Sequence, residues 1–416
     1  MMPQEGPFGP SWFDIIANSS IIKLMQFIVD DKEDEARVGK IKFNRGVINT
    51  PAFMAVGTTG VVKTMKPDEL EELGAEIILG NTYHLYLRPG LDIVRHFKGL
   101  HNFIGWQKPI LTDSGGYQVF SLGKKLEDRK LKNNKQMTDS LVKITNQGVW
   151  FASHLDGSKH FFTPERVIDI QLELGSDIIM PLDHCPSAEA KEEEIHQAVD
   201  RTNQWFERSW SHFVKATKNL DERPALFAII QGGPYQKLRE KSVKFLSQFP
   251  IDGWAIGGVA NAGESKFKQR EALKHTIPLL AKGMPRYLMG VGEPQDMIEA
   301  IGQGIDIFDC VLPTRLARHG LAWIKLPRPG KPAWVFESLD LRKGSYQKDK
   351  QPLMENCQCY GCKHFSRAYL HHLIKNKEIL GIRLLTEHNL YFVFTLFKGS
   401  RALIKRGKFK MMWDLV

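Results

Sequence analysis

Between residues 51 and 311 the chain repeats one pattern: a short apolar run, a glycine or polar break, and a longer stretch with apolar residues at helical spacing. The runs fall at 51–56, 77–80, 109–112, 177–182, 226–230, 253–257, 287–290 and 305–308. Continuous apolar runs of this length predict strands buried on both faces, and helix-length connections predict that they pair in parallel. Repeated eight times, the unit predicts an α/β fold, a closed (β/α)8 TIM barrel. An open doubly wound sheet is the alternative, but no Gly-x-Gly-x-x-Gly follows the first run, which removes the main reason to prefer a dinucleotide fold. Met25 opens a strand-like segment, so the expected organisation is a barrel with preceding N-terminal strands over 25–345 and inserted segments between its strands. Residues 346–416 then form a small subdomain with a C-terminal helix packed on the barrel. Residues 1–24 are an N-terminal extension, Pro- and Gly-rich and then briefly amphipathic: a short docking helix or a mis-set translation start.

The residues just past each run carry the chemistry. They are Gly80-Asn81, Asp113-Ser114-Gly115-Gly116, Asp183, Gln231-Gly232-Gly233, Gly257-Gly258, Met289-Gly290-Val291-Gly292 and Asp309. In a barrel all of them converge on one rim, where barrel active sites are built. Gly, Asn and Asp also end strands and cap helices, which accounts for any one of them. It accounts less well for three aspartates and a glutamine at equivalent rim positions. Two carboxylates on separate strands, Asp113 and Asp309, suit cleavage of a glycosidic bond, one attacking while the other shuttles protons. Asp183 and Gln231 offer an acceptor and a donor–acceptor pair to the edge of a nucleobase. Tyr117 and Met289 suit its two faces. Arg315 and Arg318, beyond the eighth run, suit phosphate or base contacts, although such a pair is often only a solvated surface.

Composition sharpens this. The net charge of +10 makes a polyanionic partner reasonable without requiring one. Of five cysteines, Cys357, Cys359 and Cys362 cluster as Cys-x-Cys-x-x-Cys with His388 further on, enough soft ligands for one closed tetrahedral zinc site. A site without an open position is structural, and it stands well away from every other candidate along the chain. Cys185 and Cys310 fit no regular disulfide framework, which points to a reducing cytoplasm. No signal peptide is evident and no run approaches roughly 18 apolar residues, so no membrane role is expected.

Four segments together resemble the tRNA-guanine transglycosylases: Gly80-Asn81-Thr82-Tyr83-His84-Leu85, Thr112-Asp113-Ser114-Gly115-Gly116-Tyr117-Gln118, Gln231-Gly232-Gly233 and Phe308-Asp309-Cys310-Val311-Leu312-Pro313-Thr314-Arg315. The zinc cluster matches as well, and the likeness is to the bacterial, homodimeric branch. The resemblance implies exchange of the wobble guanine of G-U-N anticodon tRNAs for a 7-deazaguanine, in queuosine biosynthesis. It implies Asp309 as nucleophile, Asp113 as general acid/base, and a covalent tRNA–enzyme ester. Asp183, Gln231, Gly257 and Gly258 would recognise the base, Tyr117 and Met289 would sandwich it, and Arg315 and Arg318 would contact the tRNA. One structural zinc per subunit would be held by Cys357, Cys359, Cys362 and His388.

Three departures from the family's usual pattern matter. The stretch Gly257-Gly258-Val259-Ala260-Asn261-Ala262-Gly263-Glu264 is one residue longer than the bacterial pattern, so queuine stands as an alternative to pre-queuosine-1, the default incoming base. His184 follows Asp183 where the bacterial pattern has Glu, and is read as a packed or hydrogen-bonded histidine. Residues 124–142 are extended and charged at their start, a solvated face or an RNA contact. A non-catalytic tRNA-binding subunit is disfavoured because Asp113 and Asp309 are both present. An archaeal-type enzyme would append further RNA-binding domains, and a small-nucleoside hydrolase would not need the zinc module.

Overall fold

The computed structural model describes residues 25–119, 142–260, 265–327 and 334–410. The extension 1–24, the charged stretch up to residue 141 and the far end of the glycine loop, 261–264, lie outside the described residues. In chain order the strands are β1 (Gln26–Glu33), β2 (Ala36–Phe43), β3 (Gly46–Thr50), β4 (Ala52–Gly57), β5 (Ile78–Gly80), β6 (Ile110–Thr112), β7 (Val142–Ile144) and β8 (Val149–Ala152). They continue with β9 (Lys159–Phe162), β10 (Ile178–Ile179), β11 (Ala225–Ile230), β12 (Gly253–Ile256), β13 (Arg286–Leu288), β14 (Ile307–Cys310), β15 (Leu321–Pro327) and β16 (Trp334–Asp340).

Eight of these close a parallel barrel in the order β10-β11-β12-β13-β14-β4-β5-β6. Closure comes from two pairings, β14 with β4 (Asp309 opposite Met54) and β6 with β10 (Leu111 opposite Ile178). The barrel predicted from the apolar runs is therefore the fold, and every run supplies a barrel strand. The fourth is shorter than its run of 177–182. The side-chain amide of Gln171 donates to Met180 O at 2.7 Å and accepts from Met180 N at 2.9 Å, ending the strand after Ile179 by taking both backbone groups. Between β6 and β10 the chain inserts an antiparallel sheet, β7-β8-β9, which the sequence pattern did not separate from the surrounding barrel.

β4 and β11 are buried at every position, as strands covered on both faces must be. One set of the barrel strands' side chains, including Met54, Leu79, Leu111, Phe227, Ile229, Tyr287 and Ile307, fills the barrel interior. The alternate set, including Phe53, Ile78, Leu226, Ile230 and Phe308, packs outward under the helices. The longest of the flanking helices before the last strand, Glu192–Thr217, opens with three glutamates and buries Ile195, Val199, Thr202, Phe206, Ser209 and Phe213, the three-to-four spacing of an amphipathic helix. At the C-terminal end, helix Ile379–Ile404 lies on β4 and β14: Phe397 meets Phe308 at 5.3 Å and Phe53 at 6.0 Å between ring centroids.

The meander β1–β3 plugs the N-terminal end of the barrel with Ile41, Phe43 and Ile48. Arg37 fastens it. Its Nε donates to Asp306 Oδ1 at 2.8 Å, its other nitrogens donate to Lys282 O and Met284 O at 2.7 Å each, and it pairs with Asp306 Oδ2. Asp306 also accepts from Arg286 N at 2.7 Å. Neither side chain of the pair is exposed beyond 3%, so removing one leaves a buried charge alone. We expect Arg37→Met to cost about 3–5 kcal/mol in chemical denaturation. The cavity at the other end of the barrel is expected to keep its ligand affinity.

Candidate active site

At the C-terminal rim the strand ends surround a cavity of 430 Å³. Asp113, Tyr117, Asp183, Gln231, Gly257, Gly258, Met289, Asp309 and Arg315 all line it, so nine residues singled out by sequence meet in one place. Arg318 does not. It is exposed on helix Leu312–Arg318 and turns its guanidinium back to Thr314, donating to O and to Oγ1 at 3.1 Å each.

Asp113 follows β6 and is held from three sides. Thr82 N and Gly115 N donate to its Oδ1 at 2.9 and 3.1 Å, and Asn81 Nδ2 donates to Oδ2 at 2.5 Å. Asn81 does two jobs, since its Oδ1 also caps helix Thr82–Leu87 by accepting from His84 N at 3.1 Å. Burial pushes the Asp113 carboxyl up to about 7; the backbone donors pull it down, and the negative charges of Asp309 and Asp183 push it up again. Asp309, on β14, accepts on Oδ1 from Tyr287 Oη at 2.6 Å and from Gly290 N at 2.7 Å. Burial raises this carboxyl too, while both donors oppose the rise. Asp113 is thus an acid placed to exchange a proton near neutrality, and the charge of Asp309 is among the causes that raise it.

Asp183 accepts from Ser114 Oγ at 3.0 Å and from Gln231 Nε2 at 2.9 Å, and its carboxyl is raised by burial. Gln231 Oε1 is buried with no donor among the described residues, the state of an acceptor awaiting a ligand. Gly258 is required beside it: its φ is +66°, and an added Cβ would stand 2.5 Å from Gln231 Oε1. Arg239, fully buried beneath this floor, donates to Gly233 O at 2.8 Å and to Ile230 O and Gly257 O at 3.0 Å each, which fixes the two glycine turns. Tyr117 keeps 44% of its surface exposed, leaving a ring face for a ligand to cover. His84 also lines the cavity, held at about 4 by burial, His154 and Lys63, and so is neutral. His184 is outside the cavity lining; Arg201 Nη1 donates to its Nδ1 at 2.9 Å, and burial with that guanidinium holds it at about 4.

Sequence reasoning put Asn81 and Ser114 on the rim without giving them a role, and it missed Arg239 and Tyr287. Asn81 and Ser114 stood inside quoted motifs, where their strand-ending and turn-forming roles sufficed to explain them. Arg239 falls in a helical stretch and Tyr287 in an apolar run, and neither carries a local signal that marks it out. Only closure of the barrel turns the two inward.

Cys357, Cys359, Cys362 and His388 bring their donor atoms within 4.8 Å of one another and could hold a metal ion. The sulfurs lie 3.7, 3.4 and 3.4 Å from His388 Nδ1. His388 Nε2 donates to Trp323 O at 2.7 Å, which turns the Nδ1 lone pair toward the sulfurs. The cluster is remote in sequence but not in space. The next residue, Asn389, donates to Pro313 O at 3.0 Å and Leu321 O at 3.1 Å and accepts from Trp323 N at 2.9 Å. It thereby fastens the helix bearing Arg315 to the helix bearing His388.

A family profile described as queuine tRNA-ribosyltransferase matches residues 31–414. The queuine tRNA-ribosyltransferase of Natranaerobius thermophilus is 50% identical over 377 residues, 91% of this chain and 93% of its own. Those of Halothermothrix orenii and Fusobacterium nucleatum are 49% and 47% identical, over 89% and 92% of this chain and 90% and 94% of theirs.

The raised Asp113 carboxyl has a consequence for stability. A native carboxyl near 7 against an unfolded value of about 3.9 stabilises the fold fully below the lower value, and that stabilisation is lost as pH rises through the upper one. Melting temperatures of the parent and Asp113→Asn should therefore shift in the variant's favour between pH 5 and pH 8. A constant difference would remove the raised value.

Proposed function

The chain belongs to the queuine tRNA-ribosyltransferase family, tRNA-guanine transglycosylases that modify tRNA, and on that premise we propose that it exchanges the wobble guanine of G-U-N anticodon tRNAs for a 7-deazaguanine. The incoming base in this proposal is pre-queuosine-1, and the pathway served is queuosine biosynthesis. The observation that carries the chemistry is a pair of partly buried acids, Asp113 and Asp309, in one cavity whose floor presents Asp183 and Gln231. Its volume is in the range of small-ligand sites, about 300–1,000 Å³.

A stacked base cannot reach such a floor, so the anticodon nucleotide swings out of its loop, where unstacking is least costly. The N–H donors of its Watson–Crick edge meet the carboxylate of Asp183 and Oε1 of Gln231, and the ring lies between Tyr117 and Met289. Asp309 attacks C1′. The C1′–N9 bond breaks with its electron pair leaving on guanine, which takes a proton from Asp113, and a C1′–O bond to Asp309 takes its place. After guanine departs, the incoming base gives its ring proton to Asp113 and attacks C1′ in turn, returning the pair to Asp309. A carboxyl near 7 suits Asp113 for this traffic in both directions. The ester stores the glycosyl bond, so no external energy source is needed. Arg315 sits at the mouth for the tRNA backbone, with Arg318 on the same helix.

We assign the Cys357, Cys359, Cys362 and His388 site to one structural zinc per subunit. Tetrahedral zinc with its usual bond lengths puts sulfur and nitrogen ligands about 3.6 Å apart, and the separations here are 3.4–3.7 Å. The metal supplies no step of the reaction; it braces a surface. That surface carries Phe365 in ring contact with Tyr360 and with Tyr369, the two tyrosines exposed, and we place the homodimer contact there. Among the described residues no helix is long and apolar enough to cross a membrane, and the cytoplasm is the proposed compartment.

The decisive experiment offers labelled guanine, pre-queuosine-1 and queuine in competition to a G-U-N tRNA. Pre-queuosine-1 should be incorporated, and Asp309→Asn should lose both exchange and the denaturant-stable tRNA adduct while still binding tRNA. An active Asp309→Asn enzyme would sink the mechanism, and preferential uptake of queuine would replace the base. Metal analysis of folded protein should find about one zinc per chain, with tRNA binding lost on chelation; metal-free folded protein would refute the assignment.

A further inference from the structure

The two oxygens of Asp309 are not equivalent. Tyr287 Oη and Gly290 N both donate to Oδ1, at 2.6 and 2.7 Å, and Oδ2 has no donor among the described residues. Tyr287 is 1% exposed, stands on the neighbouring strand β13 and lines the cavity with its hydroxyl end. Gly290 reaches the same oxygen because its φ of +75° turns the N–H inward. We propose that Tyr287 is a positioning residue that, with the Gly290 N–H, reserves Oδ2 as the attacking atom and makes Asp309 a good leaving group in the second half of the exchange.

This rests on Asp309 being the nucleophile. In the first half-reaction Oδ2 bonds to C1′ and the base leaves with the pair of the broken C1′–N9 bond. Oδ1 is then the carbonyl oxygen of the ester. In the second half-reaction the C1′–Oδ2 bond breaks, its pair returns to the carboxylate, and the charge spreads onto Oδ1, where two fixed donors wait for it. Donors that lower the basicity of a carboxylate weaken it as a nucleophile and improve it as a leaving group. Tyr287 therefore accelerates release of the adduct more than its formation. The tyrosine cannot act as an acid here: burial first, and the charge of Asp309 next, push its hydroxyl well above the ordinary range, so it stays a neutral donor.

Tyr287→Phe keeps the ring in the core and removes only the hydroxyl. Single turnovers with tRNA, quenched in denaturant to trap the adduct and then chased with guanine, read the two halves separately without depending on the natural incoming base. Loss of one hydrogen bond to a charged group predicts adduct breakdown slower by roughly 10- to 100-fold, with formation nearly unchanged or faster. The trapped fraction at steady state rises accordingly, and the acid limb of the exchange moves to higher pH because Asp309 holds its proton longer. Equal losses in formation and breakdown, or an unmoved partition and acid limb, would overturn the inference. Absence of any adduct in the parent enzyme would instead overturn the assignment of Asp309 as nucleophile.

Discussion

Closure of the barrel across the β6–β10 seam is the constraint on which the site depends. The pairs Leu111–Ile178 and Thr112–Ile179 join strands separated by a long insertion and leave Asp113 and Asp183 just beyond one edge. Ser114 can then donate to Asp183. The second closure, β14 against β4, puts Asp309 on the same rim from the far end of the barrel segment. No local preference brings these acids together. The cost of gathering three carboxylates in one cavity is met by hydrophobic closure around them, since the strands that carry them are buried on both faces.

Gathering the acids is what makes them useful. In water each would ionise well below neutrality and behave alike. Here burial raises all three, and the differences come from what each accepts: two donors on one oxygen of Asp309, donors on both oxygens of Asp113, and a glutamine amide and serine hydroxyl on Asp183. For Asp113 burial is the main cause of a value about 7, and the charges of the other two add to it. The roles are set by second partners, Asn81, Ser114 and Tyr287, more than by the carboxylates themselves.

The metal cluster joins this arrangement through one residue. Asn389 follows His388 and bonds the backbone of Pro313, Leu321 and Trp323, while Phe397 on the same helix packs against Phe308, next to Asp309. A metal ion held there would bear on the mouth of the site through the long helix, which carries both the backing of β14 and the anchor of the Arg315 segment.

From the sequence alone, the apolar runs determine the barrel, because strands buried on both faces need continuous hydrophobicity, and the residues after them determine which side chains reach the rim. The Cys-x-Cys-x-x-Cys spacing likewise determines a ligand set, because three thiols and a histidine have few other uses together. Local pattern is silent on register and on inward or outward facing. It therefore missed the early end of β10 imposed by Gln171, the inserted β7–β9 sheet, the inward turn of Tyr287 and Arg239, and the outward turn of Arg318. Those depend on partners far away in the chain, and only the closed tertiary structure supplies them.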